Sequence, residues 1–514
     1  MEPRQAADHV HDGGRIEEGS HRTKRNASAA RSRGRDSVAE PGTQGEGPTR
    51  PPDERRRPSD TAGAEIPQAD ALRRLRYTST CIMSLRWRKF GNMLAGAAPL
   101  AGAVISMAWL GWSSEANLPS MVLAMATHPI GAIALIQTLY TALLGALWLR
   151  YRPFTVSPDV EWPKVSVIIP AYNEGPMVGR SIRSVAACAY PKDKLEVIVV
   201  DDGSRDDTFF HMQFLRREFP DLVKLVRFSG NRGKRSALVA GFRAATGDYV
   251  ITIDSDSEID PRTVHEMVTP FLADPTVGGV AGRVAVLNRE NAISRMLEVQ
   301  YTLAFDYGRA AQSVYRTVAC CPGALSAFKK SIILPFMDEW ENQRFLGRPV
   351  NHGEDQALTN IVLRQGFDTV YQRPAVVNTL VPTTYSQLSR MFLRWDRSYI
   401  VEGFSFARFM FTRYRANNRL LPIVTFFVSN LRFVLVAVAL MELPRLFDTN
   451  VTTVGRSVVA LALGAIFSAA YYLRFERSMR WMYGVLYAVF SVVALQWILP
   501  WALVTVRDER WGTR

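Results

Sequence analysis

Four cysteines in 514 residues, Cys81, Cys188, Cys320 and Cys321, are too few and too irregularly spaced for a disulfide framework or a zinc cluster. Their scarcity excludes a small cross-linked secreted scaffold and fits a soluble part kept in the reducing cytosol. A Walker-type phosphate loop is also missing. The glycine-rich stretch GNRGKRSAL (230–238) lacks that spacing, which argues against ATP chemistry. Residues 1–82 lack apolar periodicity and are dominated by Arg, Gly, Pro, Glu and Ser. Such a segment cannot bury enough surface to offset its chain entropy, so it is expected to be disordered. Met83, ahead of SLRWRKF, is a candidate for the true start of the protein.

Positive charge is plentiful. The formal net charge of +14 implies an anionic partner such as lipid headgroups or a phosphorylated substrate. Nucleic acid is not expected, because much of the basic charge lies in the N-terminal region or beside apolar runs.

Apolar runs at about 93–112 and 130–149 are each near the ~20 residues that cross a bilayer as a helix. Arg86, Arg88 and Lys89 precede the first, and Arg150 and Arg152 follow the second. The positive-inside rule makes 83–152 a hairpin with both flanks in the cytosol. Further apolar runs near 420–443, 458–473 and 481–506 form a C-terminal membrane or interfacial region over 418–506. The loop RFERSMR (474–480) is basic and expected on the cytosolic side. Asn430 and Arg432 fall inside an apolar run, either facing a channel or lying at the interface.

Between these runs, residues 153–385 read as a soluble α/β domain. VSVIIP (165–170), LEVIVVDD (195–202) and DYVITIDSD (248–256) contain short apolar strands separated by helical stretches. That alternation predicts a doubly wound sheet with ligands beyond the carboxyl ends of its strands.

The strand ends carry polar motifs. AYNE (171–174) follows one and DDGS (201–204) the next, where carboxylates and amides can bind a base or ribose, or simply make turns. In DSD (254–256), Asp254 and Asp256 would point the same way in an extended segment. They would offer hard oxygen ligands for Mg²⁺ or Mn²⁺ held with a diphosphate. Gly230, Gly233, Lys234 and Arg235 open a helix where backbone N–H groups and cations favour phosphate. Glu354 and Asp355 in GEDQALT either supply a general base or answer the dipole of a helix N-terminus. Over 386–417, Leu388, Met391, Phe392, Trp395 and Tyr399 share one helical face, with Arg390, Arg394 and Arg397 on another. That pattern suits a helix at the membrane surface.

In order and spacing, these motifs over about residues 90–514 resemble the processive family-2 glycosyltransferases: hyaluronan synthases, nodulation chitooligosaccharide synthases and chitin synthases. The resemblance implies a Rossmann-like GT-A domain on the cytosolic side of a multi-pass protein of the plasma (inner) membrane. It implies that Tyr172, Glu174, Asp201, Asp202 and Lys234 hold a UDP-sugar, and that Asp254 and Asp256 hold the metal. Asp355 becomes the base, with Glu354 beside it. The loop CCPGALSAFKK (320–330), with Cys321 and Gly323, seats the acceptor. Arg394 meets the diphosphate and Trp395 the acceptor. Two departures are Met391 in place of the family's Gln before Arg-Trp, and Arg283 after Gly282, where many relatives carry a neutral residue.

The final WGTR (511–514) resembles the gating loop of such synthases, with Trp511 and Arg514 closing over the donor and Gly512 as hinge. A simple count of spans would leave that tail outside; Pro500 in WILPWAL allows the last run to break and return it to the cytosol. The implied reaction is inverting transfer from a UDP-sugar, UDP-N-acetylglucosamine first and UDP-glucuronate as a possible second donor, onto a growing polysaccharide extruded through the bilayer. Three alternatives stay open: single-sugar transfer to a polyprenyl phosphate, a silent UDP-sugar-binding membrane protein, and a transporter. Linkage, product length and accessory secretion proteins are not encoded in any motif.

Overall fold

Runs of Val and Ile too short for helices form the centre of the fold. A computed structural model of the chain describes residues 129–412, 419–442 and 479–508, with Leu123 and Tyr472 besides. The expected N-terminal disorder, the first apolar run, most of the run at 458–473 and the WGTR tail with Trp511 and Arg514 lie outside the described residues.

VSVIIPA and LEVIVVD become β1 (Val165–Ala171) and β2 (Leu195–Asp201), buried along their whole length. Burial on both faces is what a nearly continuous apolar strand demands. Alternate residues divide between two cores: Val165, Val167 and Ile169 enter one and Ile168 the other. With β3 (Val223–Arg227), β4 (Tyr249–Ile253), β5 (Ser257–Ile259), β6 (Val277–Val286), β7 (Leu325–Lys329) and β8 (Asp368–Thr379), they form an 8-stranded sheet. The order is β3-β2-β1-β4-β7-β6-β8-β5.

The expected doubly wound sheet is mixed in strand direction. β1 runs parallel to β2 and β4, β2 to β3, and β6 to β8. β7 is antiparallel between β4 and β6, and β5 is antiparallel to β8 at the edge. The cause is local. Leu325 opens β7 opposite Ile253, the last residue of β4. The chain therefore enters β7 at the sheet edge where β1, β2 and β4 end, and from there it can only run the other way. This antiparallel entry puts the loop before β7 beside the polar strand ends.

Helices α1 (Pro129–Arg150), α2 (Met177–Ala186), α3 (Thr208–Glu218), α4 (Lys234–Ala244), α5 (Thr263–Ala273), α6 (Ala292–Tyr301), α7 (Arg309–Val314) and α8 (Glu354–Arg364) surround the sheet. Val178, Met212 and Met267 carry α2, α3 and α5 into the first core, while Leu238, Ala310 and Leu358 carry α4, α7 and α8 into the second. A turn of π-helix, Thr302–Gly308, joins α6 to α7.

Four further helices are α9 (Tyr385–Phe409), α10 (Leu420–Glu442), α11 (Met482–Ala494) and α12 (Ile498–Val504). Thr384 and Gln387 form a reciprocal capping box that fixes the start of α9. Within α10, Leu420–Val438 is long and apolar enough to cross a bilayer. Gln137 of α1 donates to Val428 O at 3.1 Å, so the second apolar run lies beside it. At the other end of α1, Leu147, Trp148 and Tyr151 enter the second core, and Tyr151 donates to Tyr371 O at 3.0 Å.

The last apolar run is broken. α11 and α12 meet at 47°, as in a broken span or a re-entrant loop. Pro500 lies in the first turn of α12 and has no N–H to offer the carbonyl of Gln496, so one straight helix cannot continue through this point.

Candidate active site

The ends of β1 and β2 are tied to each other. Thr208 Oγ1 accepts from the backbone N–H groups of Glu174 and Gly175, both at 2.8 Å, and Asn173 Oδ1 accepts from Arg205 N at 2.9 Å. Tyr172 is left 37% exposed at the rim, open to a planar ligand. Asp201 Oδ1 accepts from Ser204 N at 2.9 Å, and its other oxygen pairs with Arg227 Nε at 3.0 Å. Both oxygens of Asp202 are held, by Arg232 N at 2.7 Å and Gly233 N at 2.9 Å. Burial raises the Asp202 pKa against the pull of those N–H groups. Gly203 has φ +74°, and a Cβ there would lie 2.4 Å from the carbonyl carbon of Gly230, so glycine alone lets the two loops touch. Alongside lies a groove of about 500 Å³ lined by residues including Ser204, Arg227, Phe228 and Asn231.

The loop 230–233 therefore spends two of its backbone N–H groups on Asp202. Arg235, expected beside Lys234 as a phosphate ligand, is buried. It donates to Trp340 O at 2.8 Å, Gln343 Oε1 at 2.7 Å and His352 O at 3.2 Å. Its task is to hold the loop that leads into α8. Adjacent cations look alike in sequence, but on a helix they point about 100° apart.

Lys234, the first residue of α4, turns to the centre. Its Nζ lies 2.6 Å from Asp254 Oδ1 and 2.9 Å from Glu354 Oε1. Burial alone would lower the lysine pKa; the two carboxylates outweigh it and raise it. Glu354 is buried, which by itself would raise its pKa, yet the charges of Lys234 and Arg394 bring it down to about 2. Asp355, the next residue, goes the other way. Burial and the charge of Glu354 raise its pKa, opposed by Lys234 and by two backbone N–H groups. Those are Gly323 N on Oδ2 at 3.0 Å and Gln356 N on Oδ1 at 2.8 Å. Cys320 Sγ also donates to Oδ2 at 3.5 Å.

Gly323 comes from the loop that β7 brings to this edge. A Cβ on it would lie 3.0 Å from Lys234 Nζ and 3.8 Å from both Asp254 Oδ1 and Glu354 Oε1. Cys321 is buried, its backbone N–H donating to Thr359 Oγ1 at 2.9 Å, so it seats the loop on α8.

Asp254–Asp256 was expected to be extended; it is a turn, with Ser257 N donating to Asp254 O at 3.1 Å. β4 ends at Ile253, and the chain must reverse into the edge strand β5. Asp254 faces Lys234, while Asp256 Oδ1 accepts from Thr379 Oγ1 at 3.3 Å. Among the described residues, no three His, Cys, Asp or Glu side chains gather into a metal cage. Two carboxylates at one strand end fit an ion such as Mg²⁺, which keeps water and shares the oxygens of a bound diphosphate.

Helix α9 closes the site. Its apolar stripe does not face outward: Leu388 and Met391 are buried in the first core, with Phe392 and Trp395 packed against it. Trp395 lies near Tyr301, Phe305 and Phe392, with ring centroids 6.1, 6.3 and 5.4 Å away. Arg390 is exposed, whereas the charge of Arg394 acts on Glu354. Arg397 is buried, with Nε on Thr505 Oγ1 at 3.2 Å and Nη2 3.4 Å from Asp508. Ser398 packs under Gly353, where a Cβ would sit 2.9 Å from its own, and approaches His352 Nδ1 at 3.3 Å. Buried Glu402 accepts from Gln343 and Asn360 at 2.7 and 2.8 Å. None of His352, Ser398, Gln343, Asn360 or Glu402 carries a motif signal, because their partners are far away in sequence.

The structure thus gathers Lys234, Asp254, Gly323, Glu354 and Asp355 into one cluster, places Asp201, Asp202 and Tyr172 along adjacent strand ends, and brings Arg394 in from α9. Residues 166–334 match the model of the family described as glycosyl transferase family 2. An N-acetylglucosaminyltransferase of Azorhizobium caulinodans is 32% identical over 359 residues, 68% of this chain and 87% of that protein. A hyaluronan synthase of Streptococcus pyogenes serotype M1 is 28% identical over 396 residues, 76% of this chain and 91% of that protein. Among solved structures, the mannosyltransferase PcManGT from Pyrobaculum calidifontis, in complex with GDP-Man and Mn2+, matches 76% of this chain and 99% of its own. The TM-score is 0.49 and the identity 23%.

Proposed function

The chain belongs to glycosyl transferase family 2 and is a glycosyltransferase, and from that premise we propose that it is a membrane-embedded, inverting, processive enzyme using UDP-sugars. The observation that carries the proposal is the pair Glu354 and Asp355. One carboxylate is held ionised against Lys234, and the other is held by Gly323 N–H with a raised pKa. A base needs a pKa closer to the operating pH than an ordinary carboxylate has, and burial supplies it.

Tyr172, Glu174, Asp201, Asp202 and Lys234 bind the nucleotide at the strand ends. Arg394 serves the diphosphate, stabilising charge that grows as UDP departs. Asp355 takes the proton of an acceptor hydroxyl, which attacks the anomeric carbon from the face opposite UDP and inverts an α-linked donor into a β-glycoside. Cys321 and Gly323 shape the acceptor loop, and Trp395 offers a ring for the acceptor sugar. Mg²⁺ or Mn²⁺, when bound by Asp254 and Asp256 with diphosphate oxygens, supplies neutralising charge at the leaving group.

UDP-N-acetylglucosamine is the preferred donor, in keeping with the N-acetylglucosaminyltransferase relatives. The apolar helix Leu420–Val438 and the bent α11–α12 pair support residence in a membrane. In this proposal the catalytic domain faces the cytosol and the polysaccharide is extruded through the bilayer. Trp511 and Arg514 form the lid of this proposal.

The test is to incubate the purified protein in lipid with Mg²⁺ or Mn²⁺ and each UDP-sugar, singly and paired, and to size the products. Polymer from UDP-N-acetylglucosamine alone indicates a chitin-like product, and a requirement for UDP-glucuronate indicates hyaluronan. Products limited to one sugar on a polyprenyl phosphate would sink the processive reading.

A further inference from the structure

Among the described residues, Arg309 is a buried cation without an anion. It is 8% exposed, and its Nη1 is fully buried without a hydrogen-bond partner among the described residues. The acids nearest it on its own stretch of helix are committed elsewhere. Asp306 accepts from Tyr371 Oη at 2.8 Å and pairs with Arg373 at 2.7 Å. Glu298 pairs with Arg289 at 2.7 Å and Arg480 at 3.1 Å. What Arg309 does have is the face of Phe305, 4.2 Å from its guanidinium carbon.

Its setting is the acceptor side of the site. Phe305 lies next to Trp395, and the positive charge of Arg309 acts on the thiols of Cys320 and Cys321. Cys320 in turn donates to Asp355. The π-helical turn Thr302–Gly308 immediately precedes Arg309 and shifts its direction relative to an unbroken α-helix. An unpaired buried charge is costly, so a chain that keeps one here needs a partner that arrives from outside.

We propose that Arg309 is an acceptor-binding residue whose guanidinium donates hydrogen bonds to oxygen atoms of the terminal sugar of the growing chain. This rests on the glycosyltransferase reading of the same site. Two sugar oxygens share the required chemistry, an amide carbonyl of an N-acetylated unit and a carboxylate of a uronate unit. The diphosphate is served separately by Lys234 and Arg394.

The experiment compares unaltered protein with Arg309→Met and Arg309→Lys in lipid nanodiscs. Affinities are measured for UDP, for N,N′-diacetylchitobiose and for a disaccharide ending in glucuronate, together with the Tm of each variant. Arg309→Met is expected to lose at least tenfold in affinity for whichever saccharide the unaltered protein binds. UDP affinity should stay within twofold and Tm should be equal or higher, because an uncompensated charge has gone. Arg309→Lys should retain part of the saccharide affinity. The saccharide affected identifies the oxygen.

Unchanged saccharide binding in Arg309→Met would overturn the proposal. So would a loss confined to UDP, which would move Arg309 to the diphosphate, or a fall in Tm with parallel loss of both ligands, which would make it a structural cation. Failure of the unaltered protein to bind either saccharide would overturn it as well. Absence of UDP release from every UDP-sugar would instead refute the donor assignment, and the saccharide titration would still decide the role of Arg309.

Discussion

Glu354 and Asp355 are consecutive residues whose carboxyl groups are driven in opposite directions. Lys234 Nζ, 2.9 Å from Glu354, helps hold that acid down to about 2, while burial and Glu354 itself push Asp355 up. One residue step at a helix start turns the two side chains by about 100°, enough to give one the lysine and the other the acceptor loop.

Asp355→Asn should abolish most sugar transfer, on the order of 10²–10⁴-fold in kcat, with UDP affinity intact. Its Tm should rise, because the raised pKa means that the ionised carboxylate is disfavoured in the native fold. Transfer at the unaltered rate by this variant would remove Asp355 from the role of base.

The pH profile follows from the same pair. Activity requires ionised Asp355, so kcat should climb with pH through its raised pKa. Glu354→Gln removes the neighbouring negative charge and should move that acidic limb to lower pH. The contribution of Glu354 to stability has the opposite sense to that of Asp355. Its folded pKa of about 2 lies below the ~4.3 of an unfolded glutamate, so its stabilisation is present above ~4.3 and fades as the pH falls toward 2. A limb that stays fixed in Glu354→Gln would refute the coupling.

Gly323→Ala should fold normally but lose about tenfold in kcat/KM, the equivalent of ~1.4 kcal/mol in the barrier. Its Cβ would press on Lys234 Nζ at 3.0 Å, and the lysine cannot retreat without leaving Asp254 or Glu354. Steady-state kinetics with unfolding scans separates that effect from misfolding.

Arg432 sits within the apolar helix Leu420–Val438, its Nη1 2.9 Å from Asp396 Oδ1 and its guanidinium 4.4 Å from the centre of the Tyr399 ring. Arg432→Met alone should destabilise by about 3 kcal/mol, because it strands a largely buried Asp396. Arg432→Met combined with Asp396→Leu should recover most of that loss. Thermal unfolding of the three proteins in nanodiscs measures the coupling, and equal stabilities would show that the pair contributes nothing. In this contact the charge of Arg432 is spent on α9, while Asn430 lines a small cavity beside Gln356 and Asn360 of α8.

Much of the site was legible because its groups sit at strand and helix ends, where local pattern is strongest. Val and Ile runs marked β1 and β2, and the polar residues following them marked the edge at which ligands bind. Lys234, Asp254, Glu354 and Asp355 stood out for the same reason. Arg235 shows the limit, since its sequence context equals that of Lys234 but its side chain turns into the fold.

By itself the sequence determined β1, β2 and β4, the apolar runs, the break forced by Pro500 and the types of group available at each end. These follow from side-chain period, proline chemistry and composition over a few residues. Only the tertiary structure decided that β7 runs antiparallel, so that Gly323 reaches Lys234 and Asp355, and that α9 brings the charge of Arg394 to bear on Glu354 and sets Arg397 against Asp508. Those outcomes depend on contacts between segments tens to hundreds of residues apart. There, burial and the field of neighbouring charges set each pKa, and no local pattern encodes them.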